Sequence, residues 1–276
     1  MKALIIDRDE MAAEMMTSRL TKLGHVATHE PVKNEGIEKL SAERFDVVFI
    51  DPSPMTDAQA MTLNIKRTTQ SALYLFLLQG NDSELSYEEV TSAGCNDVIH
   101  KPLDPEDFEV KVNNAARLQD YAAKLGDTSE DFPSAGGVIA KSAFNQLFLS
   151  AIDRSGRYNE LAYILQITID NFDDIKAMDG VYNAEYSASK MAYHVVRLRR
   201  MSDIIGQTGQ NEYCLLLQPQ NETEAIDAAK RFASSLDEFK DIVPDGGNKV
   251  LMTVRLLHLP SGQEPFTHTI AKYSEM

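Results

Sequence analysis

The chain has no tryptophan, only two cysteines, and no apolar run near the ~18 residues that a membrane-spanning helix needs. Cys95 and Cys214 stand far apart, which excludes a disulfide framework and a cysteine-based metal cluster. Basic residues are scarce beside acids: 27 Lys+Arg against 42 Asp+Glu give a formal net charge of −15. A chain of that charge repels nucleic acid and anionic lipid, so neither is expected as a partner. The opening MKALIID turns acidic at once and offers no signal-peptide core. These absences predict a soluble, cytoplasmic protein with no membrane insertion. What is present is enough apolar residue, 43% of 276 positions, to build a core in each of two domains.

Residues 1 to about 125 alternate short apolar runs with helical patterns. Ala3–Ile6, Phe45–Ile50, Leu73–Leu78 and Asn96–His100 are the clearest strands. Their apolar runs are continuous, which signals strands covered on both faces and hence a parallel sheet between helices. A helix is expected from Glu10 to Lys22, closed by Gly24. Another runs from Pro105 to Leu125, with Asp104 as its N-cap and Pro105 at its first position. Its Phe108, Val112, Ala116 and Leu118 suit either a dimer or inter-domain surface or plain packing on the sheet. Residues 126–137 (GDTSEDFPSAGG) mix Gly, Pro, Ser and acids without periodicity, as a linker does. The rest reads helix (141–155), strand (161–169), helix (184–201), a hairpin from Ile204 to Gln218 around the turn GQTGQNE, helix (223–239) and strand (250–257). That order predicts an antiparallel-containing α/β sheet close to a ferredoxin-like layout.

Two constellations carry chemistry. Asp7 ends the first strand, Asp51 ends FDVVFI, and Lys101-Pro102 follows the last strand of the first half. Acids at the carboxyl ends of parallel strands mark the crevice of a doubly wound sheet. This pattern resembles the receiver domain of two-component response regulators over about 1–122. The resemblance implies a doubly wound, flavodoxin-like fold with Asp51 as candidate phosphoacceptor. In that family two adjacent acids hold Mg²⁺, and here the second is Arg8. The family's Ser/Thr sensor position is Gln79. A permanent cation at Arg8 removes a hard oxygen ligand and repels the metal, so Mg²⁺ is not expected, with Asp7 and Asp51 its only weak ligand candidates. The hypothesis is a pseudo-receiver in which Arg8 or Lys101 pairs with Asp51 in place of the metal. Rescue of the metal by Asp9 and Glu10 stays open.

The second constellation is Arg200-Met201-Ser202-Asp203, then five residues, then Gly209-Gln210-Asn211-Glu212-Tyr213. It resembles the GGDEF domain of diguanylate cyclases, where an RxxD motif precedes a GG(D/E)EF hairpin turn by that spacing. Ile169-Asp170-Asn171-Phe172, Gly180, Glu185 and Gly137–Lys141 with Phe144 fit other family positions. The resemblance implies a nucleotidyl-cyclase-like α/β domain over 137–276, after a receiver at 1–122 and a linker at 123–136. It further implies that Thr168 and Asn211 occupy the family's metal-ligand positions. Gln210 replaces a glycine beside phosphate, and Lys176 replaces the guanine-reading Asn. Two metals cannot be held by neutral groups, so the chain is expected not to be an enzyme. Glu212 survives as a lone acid, expected to be a solvated turn residue. By the same resemblance Arg200 and Asp203, with Arg231 on the next helix, correspond to a cyclic di-GMP site. An Arg fork suits phosphate and guanine, and an Asp accepts from guanine N–H groups. A plain helix-end salt bridge remains an equal alternative.

None of the six histidines has metal-ligand spacing, and Asp170, Asp173, Asp174 and Asp179 read as solvated turn acids, with a cation site as the lesser alternative. The leading expectation is a non-catalytic bacterial response-regulator-like protein that needs no cofactor. It would sense cyclic di-GMP and relay that state to a protein partner, with a homodimer also open. The alternatives are a nucleotide-independent adaptor and, behind it, a residual diguanylate cyclase.

Overall fold

The computed structural model describes residues 1–69, 73–80, 85–132, 134, 136–244, 247 and 249–273. Residues 133 and 135 of the expected linker lie outside them. The chain divides into two compact units. The first comprises the described residues of 1–124 with 152–160 and 260–262, and the second comprises the rest.

The first unit is built on β1 (Lys2–Ile6), β2 (Val26–Glu30), β3 (Val47–Ile50), β4 (Tyr74–Gln79) and β5 (Asp97–His100). All pairings are parallel, in the order β2-β1-β3-β4-β5. That is the flavodoxin-like doubly wound order, with its switch point between β1 and β3. The intervening helices are α1 (Glu10–Lys22), α2 (Lys33–Ala42), α3 (Ala58–Thr68), α4 (Tyr87–Ser92) and α5 (Pro105–Gly126). Both sheet faces are covered, as the unbroken apolar strands require. Leu4, Ile6, Val48, Ile50, Leu75 and Leu77 pack with Leu40 of α2 and Met61 and Ile65 of α3. Phe49, between them in sequence, stacks on Phe76 at 4.8 Å and on Phe108 of α5 at 5.7 Å. Each such fully buried side chain contributes about 1.5–3 kcal/mol. Phe108, Val112 and Leu118 are buried, so the apolar stripe of α5 is core rather than a dimer surface. The helix also continues past residue 122, because Leu125 extends the buried stripe.

The second unit is a six-stranded sheet in the order β11-β10-β7-β9-β8-β6. Its strands are β6 (Val138–Ile139), β7 (Ala162–Ile169), β8 (Ile204–Gly209), β9 (Glu212–Leu217), β10 (Val250–Leu259) and β11 (Phe266–Lys272). All neighbours are antiparallel except β6 and β8. Its helices are α6 (Lys141–Tyr158), of which residues 141–151 belong to this unit, α7 (Phe172–Met178), α8 (Val181–Leu198) and α9 (Glu222–Glu238). Leu165, Ile167, Leu215, Leu217, Met252 and Val254 point to one core shared with Met191 and Val195 of α8 and Phe232 and Leu236 of α9. The other face meets α6. A Cβ added at Gly206 of β8 would lie 2.6 Å from three atoms of Phe144, so only glycine admits that helix. The hairpin is tighter than expected. Thr208 and Gly209 belong to β8 across a register shift, and only Gln210 and Asn211 form the turn.

Candidate functional site

The carboxyl edge of the parallel sheet gathers Asp7 from the end of β1, Asp51 from the end of β3 and Lys101 from the end of β5. The Lys101 ammonium donates to Asp7 Oδ2 at 2.8 Å and to Asp51 Oδ2 at 2.7 Å. The other Asp51 oxygen accepts from the Ser53 amide at 2.9 Å and from the Ser53 hydroxyl. Burial alone would raise the Asp51 pKa, but Lys101 and Ser53 outweigh it and hold the carboxyl below its ordinary value. At Asp7 burial wins, and the pKa lies above the usual range despite Lys101 and the Asp9 amide. Lys101 is raised: its two carboxylate partners overcome its own burial.

These three groups line a cavity of about 400 Å³ with Arg8, Lys33 and Ser53. Of the two cations weighed from sequence, Lys101 is the one that pairs with Asp51, while Arg8 is exposed on the rim. Asp9 is the N-cap of α1, its side chain accepting from Ala12 N. The residues do not fit Mg²⁺ well: an ammonium already bridges the two acids, and two further cations, Arg8 and Lys33, border the cavity. Gln79 is 1% exposed, and neither of its side-chain amide atoms has a partner among the described residues. Ser53 was not singled out by sequence reasoning, although a Ser two residues after an Asp is a common turn signal.

In the second unit the hairpin brings the altered cyclase positions together. Thr168 and Glu212 are direct cross-strand partners. Glu212 is 1% exposed, which corrects the expectation of a solvated turn acid. Its Oε1 accepts from Thr208 Oγ1 at 2.6 Å. Its Oε2 accepts from Gln166 Nε2 at 2.5 Å and Thr168 Oγ1 at 3.2 Å. The physical reason is strand geometry. Gln166 and Thr168 are two apart on β7 and share a face, and the register shift in β8 turns Thr208 toward the same point. Asn211 turns back to the chain and donates to Ile169 O at 2.7 Å. Gln210 is exposed and donates to Glu130, and Lys176 is exposed on α7. A buried carboxylate whose oxygens are engaged by neutral donors, beside a Thr and an Asn, does not fit a pair of divalent metals. Gln166 and Thr208 were missed in the sequence because their partner lies on another strand. Among the described residues no group of His, Cys, Asp and Glu is arranged to hold a metal ion.

Arg200, Asp203 and Arg231 line one cavity of about 130 Å³, between the end of α8 and the start of α9. Asp203 is 9% exposed, and its Oδ2 accepts from the Arg200 amide at 2.8 Å. The Arg200 guanidinium pairs with Glu224 at 2.8 Å, which lifts its pKa further. Glu224, missed in the sequence, also accepts from the Gln220 amide at 2.9 Å. The exposed Arg231 sits about two turns beyond Glu224 on the same helix.

Residues 134–264 match the family model of the diguanylate cyclase GGDEF domain. The second unit is a GGDEF domain. The unit ahead of it has the flavodoxin-like strand order of a response-regulator receiver fold. A receiver protein from Burkholderia phymatum is 20% identical, over 41% of this chain and 92% of its own, with a TM-score of 0.36. A GGDEF domain from Pseudomonas aeruginosa is 19% identical, over 43% of this chain and 74% of its own, with a TM-score of 0.37. Hybrid signal transduction histidine kinase G of Dictyostelium discoideum is 29% identical over 123 residues. That stretch is 41% of this chain and only 3% of the kinase. No helix among the described residues is long and apolar enough to cross a membrane.

Proposed function

We propose that this receiver–GGDEF protein is a non-catalytic, cytoplasmic sensor of cyclic di-GMP that relays the bound state to a protein partner. Its receiver spans 1–122 and its GGDEF domain 137–276. The observation that carries the reading is the convergence of Arg200, Asp203 and Arg231 on one cavity. Two guanidinium forks suit a phosphodiester, and a carboxylate beside them suits the N–H edge of guanine. Loss of cyclase activity is supported by the neutral Thr168 and Asn211 and by the donors that enclose Glu212. On the receiver side Lys101 acts as the fixed counter-cation of Asp51, and the domain serves as a scaffold rather than a phosphorylation switch.

The adaptor reading draws on one observation: Arg200 is already paired with Glu224 and Asp203 already caps the Arg200 amide. Ligand-dependent melting separates the two, because a ligand that binds only the folded state raises its melting point. The sensor reading expects a shift with cyclic di-GMP and none with GTP. No shift with either favours the adaptor, and turnover of GTP refutes both.

A further inference from the structure

Helix α8 carries two apolar stripes. Ala184, Ala188, Met191 and Val195 form one, and it is buried in the GGDEF core. On the opposite side Tyr182, Tyr186, Ser189 and Tyr193 follow one another at steps of four, three and four. That is the a/d repeat of a helix that packs on a second helix. Tyr182 and Tyr193 are 77% and 61% exposed. Met178 and Val181, at the approach to the helix, are also exposed, at 73% and 49%. Scattered exposed apolar residues are ordinary, but a heptad-spaced aromatic row is an interface pattern.

The charges are sorted along this surface. Asp179 and Glu185 lie at its amino end, and Lys190, Arg197 and Arg199 toward its carboxyl end. Lys190 and Arg197 lie over the rings of Tyr186 and Tyr193, at 5.1 and 5.5 Å from the centroids. In a chain of net charge −15 this basic end is a local reversal of sign. Dipole compensation accounts for acids at one end and bases at the other, but not for the tyrosines between them.

We propose that α8 pairs antiparallel with α8 of a second copy of this chain, about a two-fold axis through Ser189. An isologous contact of that kind places position 189+n opposite 189−n. Glu185 then faces Tyr193 of the second copy and lies one turn from both its Lys190 and its Arg197. The acidic end of each helix covers the basic end of the other, and the small Ser189 at the crossing lets the two helices approach. This surface is separate from the buried stripe of α5.

Sedimentation of the full chain up to about 100 μM tests the proposal, since dimerisation follows mass action. The expected result is a dimer that weakens at about 1 M salt, where charges at an interface rim are screened. Tyr182→Ser with Tyr193→Ser is expected to raise the dimer dissociation constant at least ~10-fold, roughly 1.4 kcal/mol, with melting unchanged. Glu185→Arg alone, and Lys190→Glu with Arg197→Glu alone, are expected to be monomeric, and an equimolar mixture to form the heterodimer. A wild-type monomer at the highest concentration overturns the proposal. So does a dimer that survives the tyrosine changes, or charge-swapped chains that fail to pair with each other.

Discussion

Replacing Lys101 by Met keeps the length of the side chain and deletes the ammonium that bridges Asp7 and Asp51. The Asp7 side chain is 1% exposed and that of Asp51 18%, so solvent does not replace the lost cation at Asp7. Removing one partner of a buried ion pair costs about 3–5 kcal/mol. Asp51 keeps its Ser53 donors and Asp7 keeps the Asp9 amide at 3.0 Å, which sets the expectation at the lower end, about 3 kcal/mol at neutral pH. For a unit of this size that lowers the receiver transition by on the order of 10 °C in scanning calorimetry of the full chain. The loss shrinks in acid. The Asp7 pKa is already raised by burial, so falling pH protonates it and removes the unpaired charge. Mg²⁺ is expected to recover part of the lost stability in the variant, because the cation position is then open, and to leave the wild type unchanged. A loss below about 0.5 kcal/mol, the range of an ordinary surface change, or an equal Mg²⁺ effect on the wild type, refutes the reasoning.

Thr208→Val preserves shape and removes the 2.6 Å donor to Glu212. Removing that hydrogen bond to a buried carboxylate is expected to cost about 1–3 kcal/mol in urea unfolding, and no change would contradict the enclosed-acid description. His258 is buried, and burial lowers its pKa from 6.5 to about 4. The folded state therefore resists protonation, so its contribution is whole above about pH 6.5 and is lost as pH falls toward 4. The loss amounts to about 3 kcal/mol. Asp97 in the first unit is pushed up to about 6 by burial and acts in the opposite direction. The measurement is therefore the difference between wild type and His258→Phe across pH 4–7, and a flat difference refutes the assignment.

The strands of the first unit were legible because four of them are buried on both faces. Val26–Glu30 was not, since VATHE is a partly exposed edge strand whose polar residues hide its pattern. Phe266–Lys272 escaped for the same reason: FTHTIAK lies at the edge of the second sheet and shows Thr267, His268 and Thr269 to solvent. Thr208 and Gly209 looked like turn residues, and only the paired register reveals them as strand. Asp7, Asp51 and Lys101 were readable because each ends a strand of a known topology. The burial of Glu212 was not, since its donors come from two neighbouring strands. Arg200 and Asp203 were found as a motif, but Glu224 comes from the next helix and reaches Arg200 only in three dimensions.

The central claim is that the cavity of Arg200, Asp203 and Arg231 takes cyclic di-GMP. Isothermal titration of the full chain, beside an Arg200→Ala, Asp203→Ala double variant, tests it most directly. The account predicts saturable binding near the micromolar range or tighter, about −8 kcal/mol, that the double variant loses while it stays folded by circular dichroism at the titration temperature. Absence of heat with the wild-type chain, or equal binding by the variant, would contradict it.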